Sequence, residues 1–499
     1  MSSFSAPRLA EFPLSPDTHK YLESAVIGHV IDGEVVDSRS GESMAIINPA
    51  TGEEMGQAAR GGQADVDRAV TSARQAFDDG RWRNLAPLEK ERRLRRLSQL
   101  VGEYGDVFSD IDVLDAGLLK AYTGFIVQFA VDGIDYFSGW PSKISGSIPS
   151  VPGDVAVYVL REPVGVVGLI VPWNGPTAVL GFIAAILATG NSVVLKPAEQ
   201  TPMAAVLMGQ LCVEAGIPPG VVNVLQGAGD VGAALVSHPG IDTISFTGSV
   251  ETGKRIQAAA ADRVKRVSLE LGGKSAHIIF DDADLEPASA TAAMAVWGAS
   301  GQVCTAGTRV LAQRGVYDDV VDRITSASRQ LRIGSPFDPE VELGPVVSQQ
   351  QLERVARYVA IGNDEGAELV LGGQRHGDAG YFFQPTIFGG VNNQMRIARE
   401  EIFGPVMCVI PFDTEDEAYA IANDTDYGLS AGVWTNDLTR AHRAYRSLKS
   451  GTVWINTYQE VNAAVPYGGV KLSGHGRTLG EESLHELLQT KSVWMKVSR

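Results

Sequence analysis

The sequence predicts an α/β protein built on a doubly wound parallel sheet, followed by a second α/β block and edged by a small β arm. Three observations carry that prediction. Between residues 164 and 269, short apolar runs alternate with helical patterns at a regular beat, as expected for buried parallel strands covered by helices on both faces. A second α/β block begins at Ser275-Ala276-His277-Ile278-Ile279-Phe280 and runs to about residue 469. Two segments, residues 154–160 and 491–497, alternate like exposed strands and fit neither block.

Taken in order, Glu34-Val35-Val36 and residues 44–47 read as short strands. Val66, Ala69, Val70, Ala73 and Phe77 then recur at helical spacing, with Asp65, Asp67, Arg68 and Arg74 between them. A second helix over residues 88–101 carries Lys90, Arg92, Arg93, Arg95 and Arg96. Glu89 and Glu91 interleave with these cations, and Leu94, Leu97 and Leu100 mark a core face, so the cluster reads as a solvated helix face and not a nucleic-acid patch. From there strands over 164–171, 192–195, 221–225, 243–246 and 266–269 alternate with helices over 177–188, 202–215, 229–236 and 249–261. Such sheets bind ligands beyond the carboxyl ends of their strands. The residues found there are Pro172-Trp173-Asn174, Lys196-Pro197-Ala198-Glu199, Thr247-Gly248-Ser249 and Glu270-Leu271-Gly272-Gly273.

Length and composition bound the function. A chain of 499 residues has room for three domains and sizeable cores. The net charge of −17 opposes generalised nucleic-acid binding, because a polyanion is repelled over most of such a surface. Cys212, Cys304 and Cys408 lie far apart without CxxC spacing or a His cluster, so neither a disulfide framework nor a metal site is expected. Residues 1–15 lack a basic segment followed by an apolar one, and the longest informative apolar run, residues 178–188, falls short of the roughly 20 residues of a membrane span. These features predict a cytoplasmic protein with no membrane partner.

The chemistry centres on Gly301-Gln302-Val303-Cys304-Thr305-Ala306-Gly307-Thr308-Arg309, where one cysteine stands among small, uncharged neighbours after a run with the composition of a packed helix. A free cysteine is more often inert and buried, so Cys304 needs support from elsewhere as a nucleophile. Glu270, at the end of an apolar strand, is placed to act as a general base if burial raises its pKa towards neutrality; otherwise it is a turn residue. Asn174 offers an amide that, with the Cys304 N–H, could hold a developing oxyanion, although asparagine at a strand end is usually turn chemistry. Glu199 and Lys196 suit the hydroxyls of an adenosine ribose, and a 2′-phosphate would meet the Glu199 charge, which favours NAD over NADP. Gly248-Ser249 opens a helix whose N–H groups face a pyrophosphate. Gly227-Ala228-Gly229-Asp230-Val231-Gly232 matches G-x-G-x-x-G, but the acidic residue expected about 20 positions on is replaced by Phe246-Thr247-Gly248, so it reads as a tight turn.

Together these stretches, with Glu400 to Val406 and Pro466 to Gly476, resemble the NAD(P)-dependent aldehyde dehydrogenase superfamily, of the hydrolytic, non-acylating type, in family order over nearly the whole chain. The resemblance implies a Rossmann-type NAD-binding domain over residues 20–140 and 161–272, a catalytic domain over 273–472, and an oligomerisation arm over 141–160 and 485–499. It assigns Cys304 as nucleophile, Glu270 as base and Asn174 as oxyanion donor. Trp173, Lys196, Glu199, Gly248, Ser249, Glu401 and Phe403 are assigned to NAD. The substrate pocket is expected at Gly175, Val303, Thr305, Val461 and Tyr467. Gly175 and Val461 stand where the family often carries larger rings, which implies a wide tunnel and an apolar aldehyde, aromatic or branched. Leu114-Asp115-Ala116-Gly117-Leu118-Leu119 departs from the family's Gly-Lys-Pro-like turn. The expected partner is the small-molecule aldehyde, in a homodimer or homotetramer. Two alternatives stand beside this reading: a coenzyme A-acylating member, which Glu270 speaks against, and a non-catalytic binding or structural protein with the same fold.

Overall fold

The computed structural model describes residues 3–4 and 9–496. In its first part β1 (His29–Ile31) and β2 (Glu34–Val36) form a hairpin, β3 (Ser43–Ile47) and β4 (Glu54–Ala59) a separate ribbon, and β5 (Val155–Pro163) stands apart. The alternating beat then yields β6 (Val166–Ile170), β7 (Ser192–Lys196), β8 (Val222–Val224), β9 (Thr243–Gly248) and β10 (Arg266–Leu271). The second block supplies β11 (Ala276–Ile279), β12 (Arg309–Gln313), β13 (Glu368–Leu371), β14 (Thr386–Gly389), β15 (Val406–Phe412), β16 (Ser430–Trp434) and β17 (Thr452–Ile455). The C-terminal segment adds β18 (Gly474–His475) and β19 (Leu488–Lys496).

The first sheet has the order β18-β10-β9-β6-β7-β8-β1-β2. Five consecutive strands, β10 to β8, are parallel; β18 flanks them antiparallel on one side and the β1–β2 hairpin on the other. Every residue of β6 and β7 is buried, and each fully buried Val, Leu or Ile side chain contributes roughly 1.5–3 kcal/mol. The chain runs outward from β6 through β7 to β8 and then returns to β9 on the other side of β6, so the switch point lies between β6 and β9. That crevice is where Pro172-Trp173-Asn174 and Thr247-Gly248 emerge. The second sheet, β13-β14-β15-β12-β11-β16-β17, is parallel except at β13.

The helix Gln63–Asp78 buries Val66, Ala69, Val70, Ala73 and Phe77, as the spacing predicts. In the helix Pro87–Glu103 the basic cluster is paired within its own neighbourhood: Arg92 and Arg93 meet Glu89, Arg95 meets Glu91, and Lys90 is buried with Nζ on the Arg83 carbonyl at 2.8 Å. The two arm segments pair with each other antiparallel from Leu488↔Pro163 to Lys496↔Val155, leaving Trp494 65% exposed and Met495 51% exposed. Residues 497–499 of the expected arm lie outside the described residues.

Three elements differ from expectation. The helix predicted over 177–188 is two, Pro176–Leu180 and Ile183–Ala188. The break falls where Gly181 lies against the helix Lys120–Ser138, so close that a Cβ there would stand 3.1 Å from the Ala130 backbone. Second, β10 runs on to Leu271, because β9 pairs with it as far as Gly248 and β18 flanks it at Leu269 and Glu270. Glu270 is therefore inside a strand and not after its end. Third, the departing turn is a helix end: Gly117 (φ 71) caps the helix Gly105–Ala116 in the left-handed conformation, and Leu118 and Leu119 are buried.

Candidate active site

Cys304 sits in a turn that follows the helix Leu285–Trp297. After the helix the chain passes through Ala299 (φ 48), Ser300 (φ 56) and Gly301 (φ 75). Left-handed backbone costs about 1–2 kcal/mol at each non-glycine residue, so something must hold it. Ser300 Oγ donates to the Gly344 carbonyl at 2.7 Å. The Gln302 amide donates to the Ala299 carbonyl at 3.0 Å and accepts from Val347 N–H at 2.9 Å. Beyond the turn, the buried Arg309 guanidinium donates to the carbonyls of Lys274, Ile421 and Ala422 and to Asn393, fastening the exit strand β12.

Glycines bring the other stretches onto this turn. A Cβ at Gly273 would lie 2.6 Å from the Cys304 carbonyl oxygen. One at Gly272 would collide with the Glu401 carboxylate, and one at Gly301 with the Gly404 carbonyl. The end of β10, the cysteine turn and the loop before β15 thus meet at van der Waals contact, a packing that side chains on these residues would prevent. The carboxylate of Glu401 is held there by the Gly273 N–H at 2.9 Å, and burial pushes its carboxyl up to about 7.

Cys304 is partly accessible, whereas Cys212 and Cys408 are buried. Its Sγ lies 3.0 Å from the Tyr467 hydroxyl. Burial pushes the thiol up to about 11; the Tyr467 hydrogen bond opposes that rise, while Glu401 and Glu270 add to it. Glu270 is 5% exposed and neither carboxylate oxygen has a hydrogen-bond partner. Burial therefore holds its carboxyl well above the usual carboxylate range, against the opposing Arg477 charge and the Gly469 amide, which faces it outside hydrogen-bonding geometry. Asn174 Nδ2 donates to the Gln302 carbonyl at 2.8 Å, which ties the β6 loop to the cysteine turn two residues before the sulfur.

At the carboxyl end of β7, Lys196 is buried with Nζ on the Pro197 carbonyl at 2.8 Å and 3.9 Å from Glu199 Oε2. The Glu199 carboxylate is 44% exposed. Gly232 of the glycine-rich turn packs on the Lys196 stem, since a Cβ there would stand 3.5 Å from Lys196 Cδ. The G-x-G-x-x-G stretch and Lys196 are therefore neighbours. Ser249 caps the helix Val250–Ala261 by accepting from Thr252 N–H at 3.2 Å. Trp173 and Phe403 (φ 61) meet edge to face with centroids 5.3 Å apart.

Val461 and Tyr467 share a cavity with Thr452, Trp454, Glu460, Asn462, Val465, Pro466 and Leu479. Gly175, Val303 and Thr305 do not line it. Gly175 has open space about its Cα: a Cβ added there would meet only Ala178 Cβ, at 3.8 Å. Thr305 is buried, and its carbonyl accepts from Tyr458 OH at 2.9 Å. Sequence reasoning missed Tyr458, Gln302 and Arg477. Arg477 directly follows the Pro466 to Gly476 stretch and Gln302 lies within the Gly301 to Arg309 stretch, so both could have been found there, whereas no sequence signal marks Tyr458. Among the described residues no group of three or more His, Cys, Asp or Glu side chains could hold a metal ion, and no helix is long and apolar enough to cross a membrane.

Comparison with known proteins agrees with this geometry. A family model described as "Aldehyde dehydrogenase family" matches residues 35–493. Human retinal dehydrogenase 2 is 42% identical over 497 residues, covering 99% of this chain and 96% of that protein. An NAD+ complex of aldehyde dehydrogenase from Bacillus cereus superposes with a TM-score of 0.95 at 41% identity, covering 97% of this chain and 99% of that one. Indole-3-acetaldehyde dehydrogenase of P. syringae superposes with a TM-score of 0.93 at 40% identity over 96% of this chain and 99% of that one. A doubly wound sheet, a cysteine turn locked by glycines to two neighbouring loops, and matches over nearly its full length together place this chain in the aldehyde dehydrogenase family.

Proposed function

We propose that the protein oxidises an apolar aldehyde, aromatic or branched, to its carboxylic acid with NAD as cofactor. The observation that supports this reading is one partly accessible cysteine, Cys304, acted on by an unpartnered buried carboxylate, Glu270, in a turn tied at Gln302 to the amide of Asn174. The cofactor fits the residues present. Lys196 and the exposed Glu199 carboxylate suit the adenosine ribose, the N-terminus of the twelve-residue helix after Ser249 the pyrophosphate, and Glu401 with the Trp173–Phe403 pair the nicotinamide end. The B. cereus and P. syringae relatives are NAD+ complexes, which supports the same choice here. When bound, NAD supplies the hydride acceptor.

The protein's own groups do the rest. Cys304, as thiolate, attacks the carbonyl carbon, and Asn174 with the Cys304 N–H stabilises the oxyanion. Loss of hydride turns the thiohemiacetal into a thioester on Cys304. Glu270 accepts a proton from water, which attacks the thioester and releases the acid. Its unpartnered oxygens leave both free to orient that water. Trp454, Val461, Val465 and Leu479 give the cavity beside Tyr467 an apolar wall, which supports an apolar substrate. Relatives are named for retinal and indole-3-acetaldehyde, and others of equal similarity for betaine aldehyde, so the apolar wall carries the substrate class. Residues 20–140 with 161–272, which hold seven strands of the first sheet, are the cofactor domain, and residues 273–472 are the catalytic domain. The exposed Trp494 and Met495 support residues 141–160 with 485–499 as the arm of a homodimer or homotetramer.

A panel of aldehydes assayed for NADH and free acid without coenzyme A tests the reading. Bulky apolar aldehydes should give the highest kcat/KM and free acid as product. Preference for short charged semialdehydes removes the substrate assignment, and a strict need for coenzyme A removes the hydrolytic one.

A further inference from the structure

The loop Pro466-Tyr467-Gly468-Gly469 returns to the first sheet just before β18 and sets a phenol, not a plain apolar ring, against the sulfur. Its backbone is held by a two-way bridge with Thr478, Tyr467 N–H to Thr478 O at 2.7 Å and Thr478 N–H to Tyr467 O at 2.8 Å. The ring packs against the core cluster that includes Leu479 and shares a cavity wall with Trp454 and Pro466. That hydroxyl lies 3.0 Å from Cys304 Sγ.

We propose that Tyr467 is a further catalytic residue, its hydroxyl donating to Cys304 Sγ and favouring the thiolate that attacks the aldehyde. The direction of the bond follows from the surroundings. Burial and the neighbouring Cys304 and Glu270 raise the phenol's ionisation well above its ordinary value, so Tyr467 keeps its proton and is the donor whenever the sulfur is anionic. The titratable groups acting on the sulfur are Glu270 and Glu401, which both oppose an anion there, and the phenols of Tyr467 and Tyr458. The Thr305 amide assists from the backbone, and the Tyr458 hydroxyl is already committed to the Thr305 carbonyl at 2.9 Å. Tyr467 is thus the side-chain donor aimed at the sulfur. In the step itself the thiol proton leaves to water, the sulfur pair forms the bond to the aldehyde carbon, the carbonyl pair moves to oxygen, and Tyr467 retains its proton throughout.

This inference rests on the reading of Cys304 as nucleophile, and the experiment separates the two. The rate of iodoacetamide alkylation is measured on the full-length enzyme without NAD, across neutral to alkaline pH, for the parent and for Tyr467→Phe, which keeps the ring. Cys304→Ala identifies the alkylated thiol. A lost hydrogen bond to a charged group shifts the thiol by about one pKa unit. Greater intrinsic reactivity of the more basic thiolate offsets part of this, so alkylation should slow about threefold at pH values below the thiol's pKa. The melting temperature should stay within about a degree, since a merely structural role would move it. An equal or faster alkylation rate in Tyr467→Phe overturns the proposal while leaving the nucleophile assignment intact. If Cys304-alkylated enzyme still forms NADH, the nucleophile assignment falls and this proposal falls with it.

Discussion

Glu270→Gln separates the base from every other part of the site. The substitution keeps the side chain's shape and removes its ability to take a proton. No neighbouring group can replace it: the other carboxylate near Cys304, Glu401, is held on the Gly273 N–H at 2.9 Å. The full contribution of a positioned general base should therefore be lost, about 10²–10⁴ in hydrolysis, or roughly 3–5 kcal/mol of barrier. Stability should move the other way. Burial raises the Glu270 carboxyl, so the folded state binds that proton more tightly than the unfolded chain, and its stabilising effect is lost as pH rises from the ordinary carboxylate range through the raised pKa. Above that pKa the parent buries an unpartnered carboxylate, whereas the substituted amide is neutral in both states, so the variant should melt no lower than the parent at alkaline pH. Rapid mixing with aldehyde and NAD should give a burst of one NADH per site followed by a slow phase, with the acyl group found on the Cys304 peptide by mass spectrometry. Normal steady-state hydrolysis would refute the base assignment, and a lost burst accompanied by a lowered melting temperature would trace the defect to folding.

Two further outcomes follow from the geometry. Asn174→Ala should lower kcat by about 10²–10³ with little change in NAD affinity, measured by steady-state kinetics and cofactor titration; a loss of only a few fold would remove the amide from the oxyanion site. Asp112 is buried, accepts from the Thr177 hydroxyl at 2.9 Å and has its carboxyl pushed by burial from 3.8 up to about 7. The folded state thus holds that proton more tightly, and stability should fall as pH rises between those two values, by roughly 4 kcal/mol at most at 1.36 kcal/mol per unit. Asp112→Asn should flatten that decline in denaturant melts, leaving the part due to Asp115, Glu270 and Glu401; parallel pH profiles for variant and parent would contradict this.

Much of the fold was legible in the sequence because its signals are local. Apolar runs such as residues 164–171 and the helical spacing of Val66 to Phe77 follow from the burial of each element's own faces. The helix break at Gly181 was not legible, because its reason lies about fifty residues earlier, at Ala130. The extension of β10 through Glu270 follows its pairing with Thr247 and Gly248 of β9 and, on the other side, with β18, some two hundred residues later in the chain. The same holds within the site. Cys304, Glu270 and Asn174 were recognisable by residue type and order, yet their mutual placement depends on Gly272, Gly273 and Gly301, whose missing side chains let three loops touch.

The sequence by itself determined the α/β class, the family and the residue types available for chemistry, since periodicity and motif order are properties of the chain. Tertiary structure alone decided which groups meet the sulfur and in what state. It set Tyr467 at 3.0 Å from Cys304, left both Glu270 oxygens without partners, and turned the Val461 wall into a cavity that Gly175 does not share. The physical reason is that hydrogen bonds and desolvation act over a few ångströms, and groups at that range are set by how distant segments pack.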